Sequence, residues 1–420
     1  MAHTSEILVY PRIVATEAAA PAPSATSAAA MPDVELFVSH DLGEVESEWR
    51  RFEQTADCTV FQSFDWLACW HRHIGKSAGT VPAIVLGRRR AGDLLFILPL
   101  ATRRSQFLTQ LTFLGRDLCD YNAPLLAPDF DRVIGPHFPC LWLEVLAMLQ
   151  QNARQRHHLV LLDKMPERIG GQQNPFLRLD VSLNPSGAYL TSLSGDWDSF
   201  YAAKRSSTTR RRDRSKRKRL AESGDVRMVT PREPEAIADT LRTLIAQKRR
   251  AFARMGVADM FARPGVPEFF LDLATGRESR EMTHVSRLEV GATSAATNFG
   301  VVFRGGYYHV LASYDEGPLS RFGPGAAHLH DLMRYALESG CTLFDFTIGD
   351  EPYKRDWCDV ELKLYDHVAA ATSRGWIAAK ALSAAWRAKR AIKQSRLWPA
   401  AMRARAAVSA IRRSVFRRPR

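Results

Sequence analysis

Between residues 285 and 348 the sequence changes its period in an order that few folds can satisfy. VSRLEV and AATNFGVVF are separated by a GATS turn, and AATNFGVVF and YYHVLASYD by Arg304-Gly305-Gly306. Turns this short between β-rich runs make neighbouring strands antiparallel, so the stretch predicts a meander. A loop rich in Gly and Pro, EGPLSRFGPG, comes next. It opens AAHLHDLMRYALES (326–339), an amphipathic helix with Gly340 placed as a left-handed C-cap. CTLFDF follows as a strand and runs into the charged tip TIGDEPYKRDW. Meander, glycine loop, helix and strand together predict an α/β (α+β) domain.

The loop has a chemical use. At a helix start such as SRFGPGA, free backbone N–H groups and the positive end of the helix dipole face outward. Gly323 and Gly325 allow close backbone approach and Pro324 holds the turn, with Ser320 and Ala326 on either side. A pyrophosphate suits such a site.

The preceding half reads in a similar style. Residues 46–74 predict two helices joined by a turn, PAIVLGRRRAGDLLFILPL (82–100) a hairpin, and LTFLG (111–115) a strand. Residues 141–151 predict a helix and HLVLLD (158–163) a further strand. Organisation follows: an Ala/Pro-rich tail over 1–33, a first lobe over 34–180, a second over 181–372 and a basic amphipathic tail over 373–420. In the second lobe, IADTLRTLIAQKRRAF (237–252) carries Ile237, Leu241, Leu244, Ile245 and Phe252 on one helical face.

Charge is unevenly placed. The formal net charge is +13, and Arg374–Arg420 holds fourteen Lys/Arg and no acid, so the remainder is near neutrality. Ala404, Val408, Ile411 and Val415 would line one helical face among arginines, a pattern that fits an anionic membrane surface, a solvated extension or, less well because no reader motif accompanies it, nucleic acid. A second run, KRSSTTRRRDRSKRKR (204–219), reads as a helix ending at Gly224. It is either a solvated basic face or a cradle for a phosphate-rich ligand. No apolar run is long enough to cross a bilayer, and the six cysteines show no C-x-x-C spacing, which argues against a zinc ribbon; no metal is expected.

Taken together, these motifs resemble the GNAT acyltransferase fold, in which a loop before a central helix grips the pyrophosphate of acyl-CoA. The usual loop there is Gln/Arg-x-x-Gly-x-Gly/Ala. This chain has Ser320-x-x-Gly323-x-Gly325, with Ser in place of Gln or Arg. A longer resemblance, from about residue 35 to 370, is to the GNAT-like acyltransferases grouped around the cellulose-biosynthesis protein CelD. It rests on FQSFDWLACW, LPL, LTFLGRDLCDY, the basic helix, SYDE, FGPGAAHL and FDFTIGDEPYKRDW. That family is similar in turn to Fem-type peptidoglycan aminoacyltransferases, which pair two GNAT-like lobes.

The resemblance implies tandem GNAT-like lobes with mixed sheets. It also implies an acyl-CoA co-substrate, acetyl-CoA or longer, bound by Ser320, Gly323, Pro324, Gly325 and Ala326. Asp345, Asp350 or Glu351 would accept the proton of the attacking group, and Tyr353 or Tyr314 would protonate the departing thiolate. Lys354, Arg355, Trp357 and Arg210 would bind the acceptor, a small molecule or a glycan- or lipid-linked group. Two other readings stand beside it: a transferase drawing on aminoacyl-tRNA, and a non-enzymatic scaffold of polysaccharide synthesis. A third view of GDEPYK makes it a structural turn whose acids pair with Lys354, Arg355 and Lys363.

Overall fold

The computed structural model describes residues 33–394 apart from 106 and 278. The Ala/Pro-rich tail, but for its last residue, and the Ala404–Val415 stripe expected from sequence lie outside the described residues. The first lobe contains β1 (Val34–Ser39), α1 (Leu42–Glu53), α2 (Phe64–Trp70), β2 (Thr80–Arg89), β3 (Leu94–Arg104), β4 (Thr109–Phe113) and β5 (Leu125–Leu126). It continues through α3 (Phe130–Val133), α4 (Phe138–Gln151), β6 (Leu159–Pro166), β7 (Arg168–Ile169), β8 (Gln172–Gln173) and β9 (Val181–Leu183). The second lobe contains β10 (Ala188–Ser192), α5 (Trp197–Lys204), α6 (Ser207–Ala221), β11 (Val226–Val229), α7 (Pro234–Met255) and α8 (Val266–Thr275). After these come β12 (Thr283–Val290), β13 (Thr293–Phe303), β14 (Gly306–Tyr314), α9 (Pro324–Glu338), β15 (Leu343–Ile348), α10 (Pro352–Arg355) and β16 (Val360–Leu362). The chain then returns through β17 (Leu364–Ala370) and ends, as described, in α11 (Ser373–Gln394).

The two sheets have the same plan. One runs β1-β2-β3-β4-β6-β17-β9 and the other β11-β12-β13-β14-β15-β10-β16. Each begins with a four-stranded antiparallel meander. A helix then carries the chain back so that the next strand pairs in parallel, β6 with β4 and β15 with β14. Both sheets are therefore mixed, and the architecture is α/β with two lobes of like topology. The expected turns explain the meander: Arg304 and Gly305 both have positive φ, at 49° and 73°, the twist a two-residue hairpin needs. Gly340, at φ 82°, sits just past the end of α9, as its sequence position predicted.

The expected boundary between residues 180 and 181 does not separate the sheets. β9 and β17 both pair in the first sheet, β17 against β6 from Leu364↔Pro166 to Ala370↔Leu159. The strand that occupies the equivalent place in the second sheet is β10, beside β15. Only the first sheet is thus completed by a strand from outside its own contiguous segment, since β10 belongs to the same stretch of chain as the rest of the second sheet. One apolar core spans the lobes: Phe61 meets Tyr121 and Tyr308 edge-on at 5.5 and 6.0 Å, and Trp66 meets Phe269 at 5.2 Å.

Candidate active site

The ladder between β14 and β15 has three pairs, Gly306↔Leu343, Tyr307↔Phe344 and Tyr308↔Asp345. Beyond them β14 stays with β13 as far as Tyr314↔Ala296, while β15 stays with β10 as far as Ile348↔Ala188. The two strands part at Asp345, and the parting opens a notch in the sheet.

At the outer end of the notch lies the glycine loop. A short 3₁₀ turn, Pro318–Phe322, closes when the Gly323 amide donates to the Ser320 carbonyl at 3.0 Å. Gly323 takes φ 68°, which spares the chain the strain a side chain would bring, and α9 begins at Pro324. The first-turn amides of Gly325 and Ala326 have no carbonyl behind them in the helix. A Cβ built on Gly325 would lie 3.3 Å from Cδ1 of Tyr314, so the helix start sits directly against the end of β14. Tyr314 therefore belongs to the loop end of the notch, with 40% of its surface exposed.

The basic run 204–219 folds as the end of α5 and most of α6, and α6 lies beside this loop. Its one buried side chain, Leu220, packs with Leu319, Phe322 and Ala327. Arg217 donates to both carboxylate oxygens of Asp331 on α9, at 2.9 and 3.0 Å. Lys216 Nζ comes within 3.7 Å of the Cβ position of Gly323, placing an exposed cation beside the helix start. The expected Arg210 is half-buried on an earlier turn of the same helix.

At the inner end Asp345 is buried, 2% exposed. Its Oδ1 accepts from the Tyr121 hydroxyl of the first lobe and from the Thr347 amide, both at 2.7 Å. Burial lifts its carboxyl to about 7; the hydrogen bonds from Tyr121 and Thr347 pull the other way, and nearby Asp120 adds to the rise. Asp120 is itself raised, first by burial, while Lys164 and the Thr347 hydroxyl lower it. Lys248 on α7 is lowered by burial, with Glu351 and Asp120 opposing. His309, the first β14 residue past the parting, is held down at about 3 by burial and by Lys354, and is neutral at pH 7.

The backbone here is strained. Thr347 has φ 58°, a left-handed conformation that a β-branched residue strongly disfavours. It is held by the amide bond to Asp345 and by the buried Lys354 ammonium, which donates to the carbonyls of Thr347 and Ile348 at 3.2 and 2.9 Å. Across the interface Lys164 also has positive φ, 55°, and donates to the Cys119 carbonyl. Strain on both sides of one polar cluster marks it as a functional candidate.

The remaining sequence-predicted residues separate into groups. Lys354 does not face solvent to meet a phosphate; it turns inward and pairs with Glu351 at 3.0 Å. This is the turn pairing foreseen for GDEPYK, realised through Lys354. Asp350 and Glu351 are exposed, so of the three predicted carboxylates Asp345 alone is buried. Tyr353 keeps its proton: desolvation and then Glu351 push its phenol up. Arg355 donates to the Tyr189 hydroxyl at 3.2 and 3.3 Å. Trp357 is 6% exposed, stacks on Tyr201 at 5.9 Å and carries Arg205 over its ring at 4.9 Å; its face is taken up in holding α5 and α6 against α10. Sequence reasoning missed Asp120, Tyr121, Lys164, Lys248 and His309. RDLCDY stands out as a motif in the sequence, but nothing local tells that its last two residues reach the second lobe.

Residues 207–355 match the family model described as an acetyltransferase (GNAT) domain. No functionally curated protein matches the chain. Among solved structures, FemX is 11% identical, with 77% of this chain and 96% of that one covered and a TM-score of 0.53. A conserved protein of unknown function from Bacteroides thetaiotaomicron VPI-5482 is 12% identical, with 79% and 99% covered and a TM-score of 0.50. By sequence the second lobe matches the GNAT acetyltransferase domain family, and by structure the chain shares the fold of FemX.

Proposed function

We propose that the protein is an acyl-CoA-dependent N- or O-acyltransferase whose reaction takes place in the notch between β14 and β15. The observation that carries this reading is the alignment of two features along one opening. A glycine helix start with a lysine beside it lies at the mouth, and a carboxyl poised near 7 lies at the base. The donor's pyrophosphate would sit on the amides of Gly325 and Ala326 near Lys216, with the acyl thioester directed down the notch. Asp345 uses Oδ1 for Tyr121 and Thr347, and no described residue is seen to donate to Oδ2. Oδ2 would take the proton of the attacking amine or hydroxyl as its N–C or O–C bond forms. The C–S bond then breaks, and the CoA thiolate leaves and takes a proton, from Tyr353 or from Tyr314 at the mouth in this reading.

The finer assignment, to envelope or exopolysaccharide synthesis, rests on the resemblance to the CelD group. Attachment to an anionic membrane surface draws support from α11, where Trp376 and Ile377 are 57% and 67% exposed and Lys380 lies 5.6 Å from the Trp376 ring. No helix among the described residues is long and apolar enough to cross a membrane. A second reading, an aminoacyl-tRNA donor, is favoured by one observation: most of the bases of α6 face solvent.

Calorimetric titration with CoA, acetyl-CoA, longer acyl-CoAs and ATP tests the donor. Binding of the CoA species at least tenfold tighter than ATP is expected. Equal affinity for all would reduce the loop to a polyphosphate site. Retention of charged tRNA over uncharged, with no CoA binding, would replace the reading with the second one.

A further inference from the structure

A second polar cluster joins the lobes away from the notch. Cys69 is the penultimate residue of α2, which runs on into a π-helical turn, His71–Gly75. The wider turn brings His73 almost directly over Cys69, closer than the offset an α-helix would leave. Asp272 reaches them from α8 of the second lobe. Its Oδ2 lies 3.6 Å from Cys69 Sγ and 2.8 Å from His73 Nε2. The three ligand atoms all fall within 4.8 Å of one another.

This geometry is built rather than incidental. Gly265, at φ 83°, begins α8 against the π turn so closely that a Cβ there would lie 2.0 Å from the His73 carbonyl oxygen. The cluster also borders a cleft of about 520 Å³ lined by His71, Lys76, Asp65 and Arg277 among others, so a fourth position is open to water.

We propose that Cys69, His73 and Asp272 form a binding site for a zinc-class divalent cation that ties the first lobe to the second. Sulfur, imidazole and carboxylate on one centre select Zn²⁺ or Co²⁺ over Mg²⁺ and Ca²⁺. Tetrahedral coordination at ordinary zinc bond lengths sets the sulfur–oxygen edge at about 3.5 Å and the nitrogen–oxygen edge at about 3.3 Å. The first edge is already in place, and the second requires His73 and Asp272 to separate by roughly half an ångström. One group opposes the metal. Arg72 Nη1 donates to the same Oδ2 at 2.8 Å, but its side chain is 63% exposed and free to swing into solvent. The site is independent of the donor reading.

The test uses the full chain, stripped with chelator and titrated with Co²⁺, Zn²⁺ and Mg²⁺. One equivalent of Co²⁺ should produce the visible bands of a tetrahedral site and a thiolate-to-cobalt charge-transfer band, with Zn²⁺ displacing it and Mg²⁺ inert. Cys69→Ser, with folding checked by circular dichroism, should abolish the charge-transfer band and weaken Zn²⁺ at least tenfold. Arg72→Gln, an exposed change that spares the fold, should tighten Zn²⁺ several-fold by freeing Asp272. Absence of Co²⁺ binding, binding indifferent to Cys69→Ser, or weaker binding in Arg72→Gln would overturn the proposal.

Discussion

The two lobes share one topology and use it oppositely. In the second, β14 and β15 part around polar groups: Asp345, His309 and Lys354 inside, Gly325 at the mouth. In the first, β4 and β6 pair only at Gln110↔Leu159 and Leu111↔Val160 before parting. There the space is filled by aromatic rings. Phe176, carried on a 3₁₀ turn after β8, meets Phe113 at 5.6 Å, Phe138 at 4.9 Å and Trp142 at 5.1 Å. Phe138 is the first residue of α4, so a bulky ring starts the helix where the other lobe has Pro324 and Gly325. A parted sheet is therefore only an opportunity. What enters the gap decides whether it becomes a site or a core.

The comparison can be broken most sharply at Asp345. Asp345→Asn keeps an acceptor for Tyr121 and Thr347 but removes the base, so kcat should fall by roughly 10²–10⁴ with donor affinity retained. The wild-type rate should rise with pH through an inflection near 7 that the variant lacks. Stability carries the opposite sign. The folded-state value lies above the unfolded one, so the stabilising proton is fully present below the unfolded value and is lost as pH rises through 7. Between about pH 4 and 7 the wild type should lose up to about 1.4 kcal/mol per pH unit relative to Asp345→Asn in denaturant titrations. An unchanged kcat would remove Asp345 from the chemistry.

At the mouth, Gly325→Glu brings a carboxylate to the helix start and a Cβ against Tyr314. CoA affinity should fall by at least about 100-fold in calorimetry with the melting temperature little changed. Near-wild-type affinity would place the donor elsewhere. In the first lobe Phe176→Ala should act on folding alone, costing about 3–5 kcal/mol while CoA affinity per folded molecule stays the same. A change in CoA affinity would show that the filled gap also takes part in binding. The smallest effect is expected for Lys216→Gln, a loss of roughly three- to tenfold in CoA affinity that shrinks as salt is raised. An effect independent of salt would argue for a packing role instead.

Legibility followed the range of the interaction that makes each feature. The meander, the helices α4, α7 and α9 and the caps depend on neighbouring residues, and their signals lie in short stretches. The loop Ser320–Ala326 was legible for the same reason. Trp357 and Lys354 misled because type and charge predict exposure only until packing turns a side chain inward. Trp357 is claimed by Tyr201 and Arg205, and Lys354 by the carbonyls of a strained turn.

By itself the sequence determined an α/β chain with a second lobe built around a glycine-started helix, because hydrophobic period, turn chemistry and capping are local. Only the tertiary structure decided that β17 completes the first sheet, that Phe176 closes one gap, and that Tyr121 meets Asp345 across 224 residues of chain. Those outcomes depend on which surfaces exclude water together. That choice is made between distant segments, and no single stretch of the chain carries it.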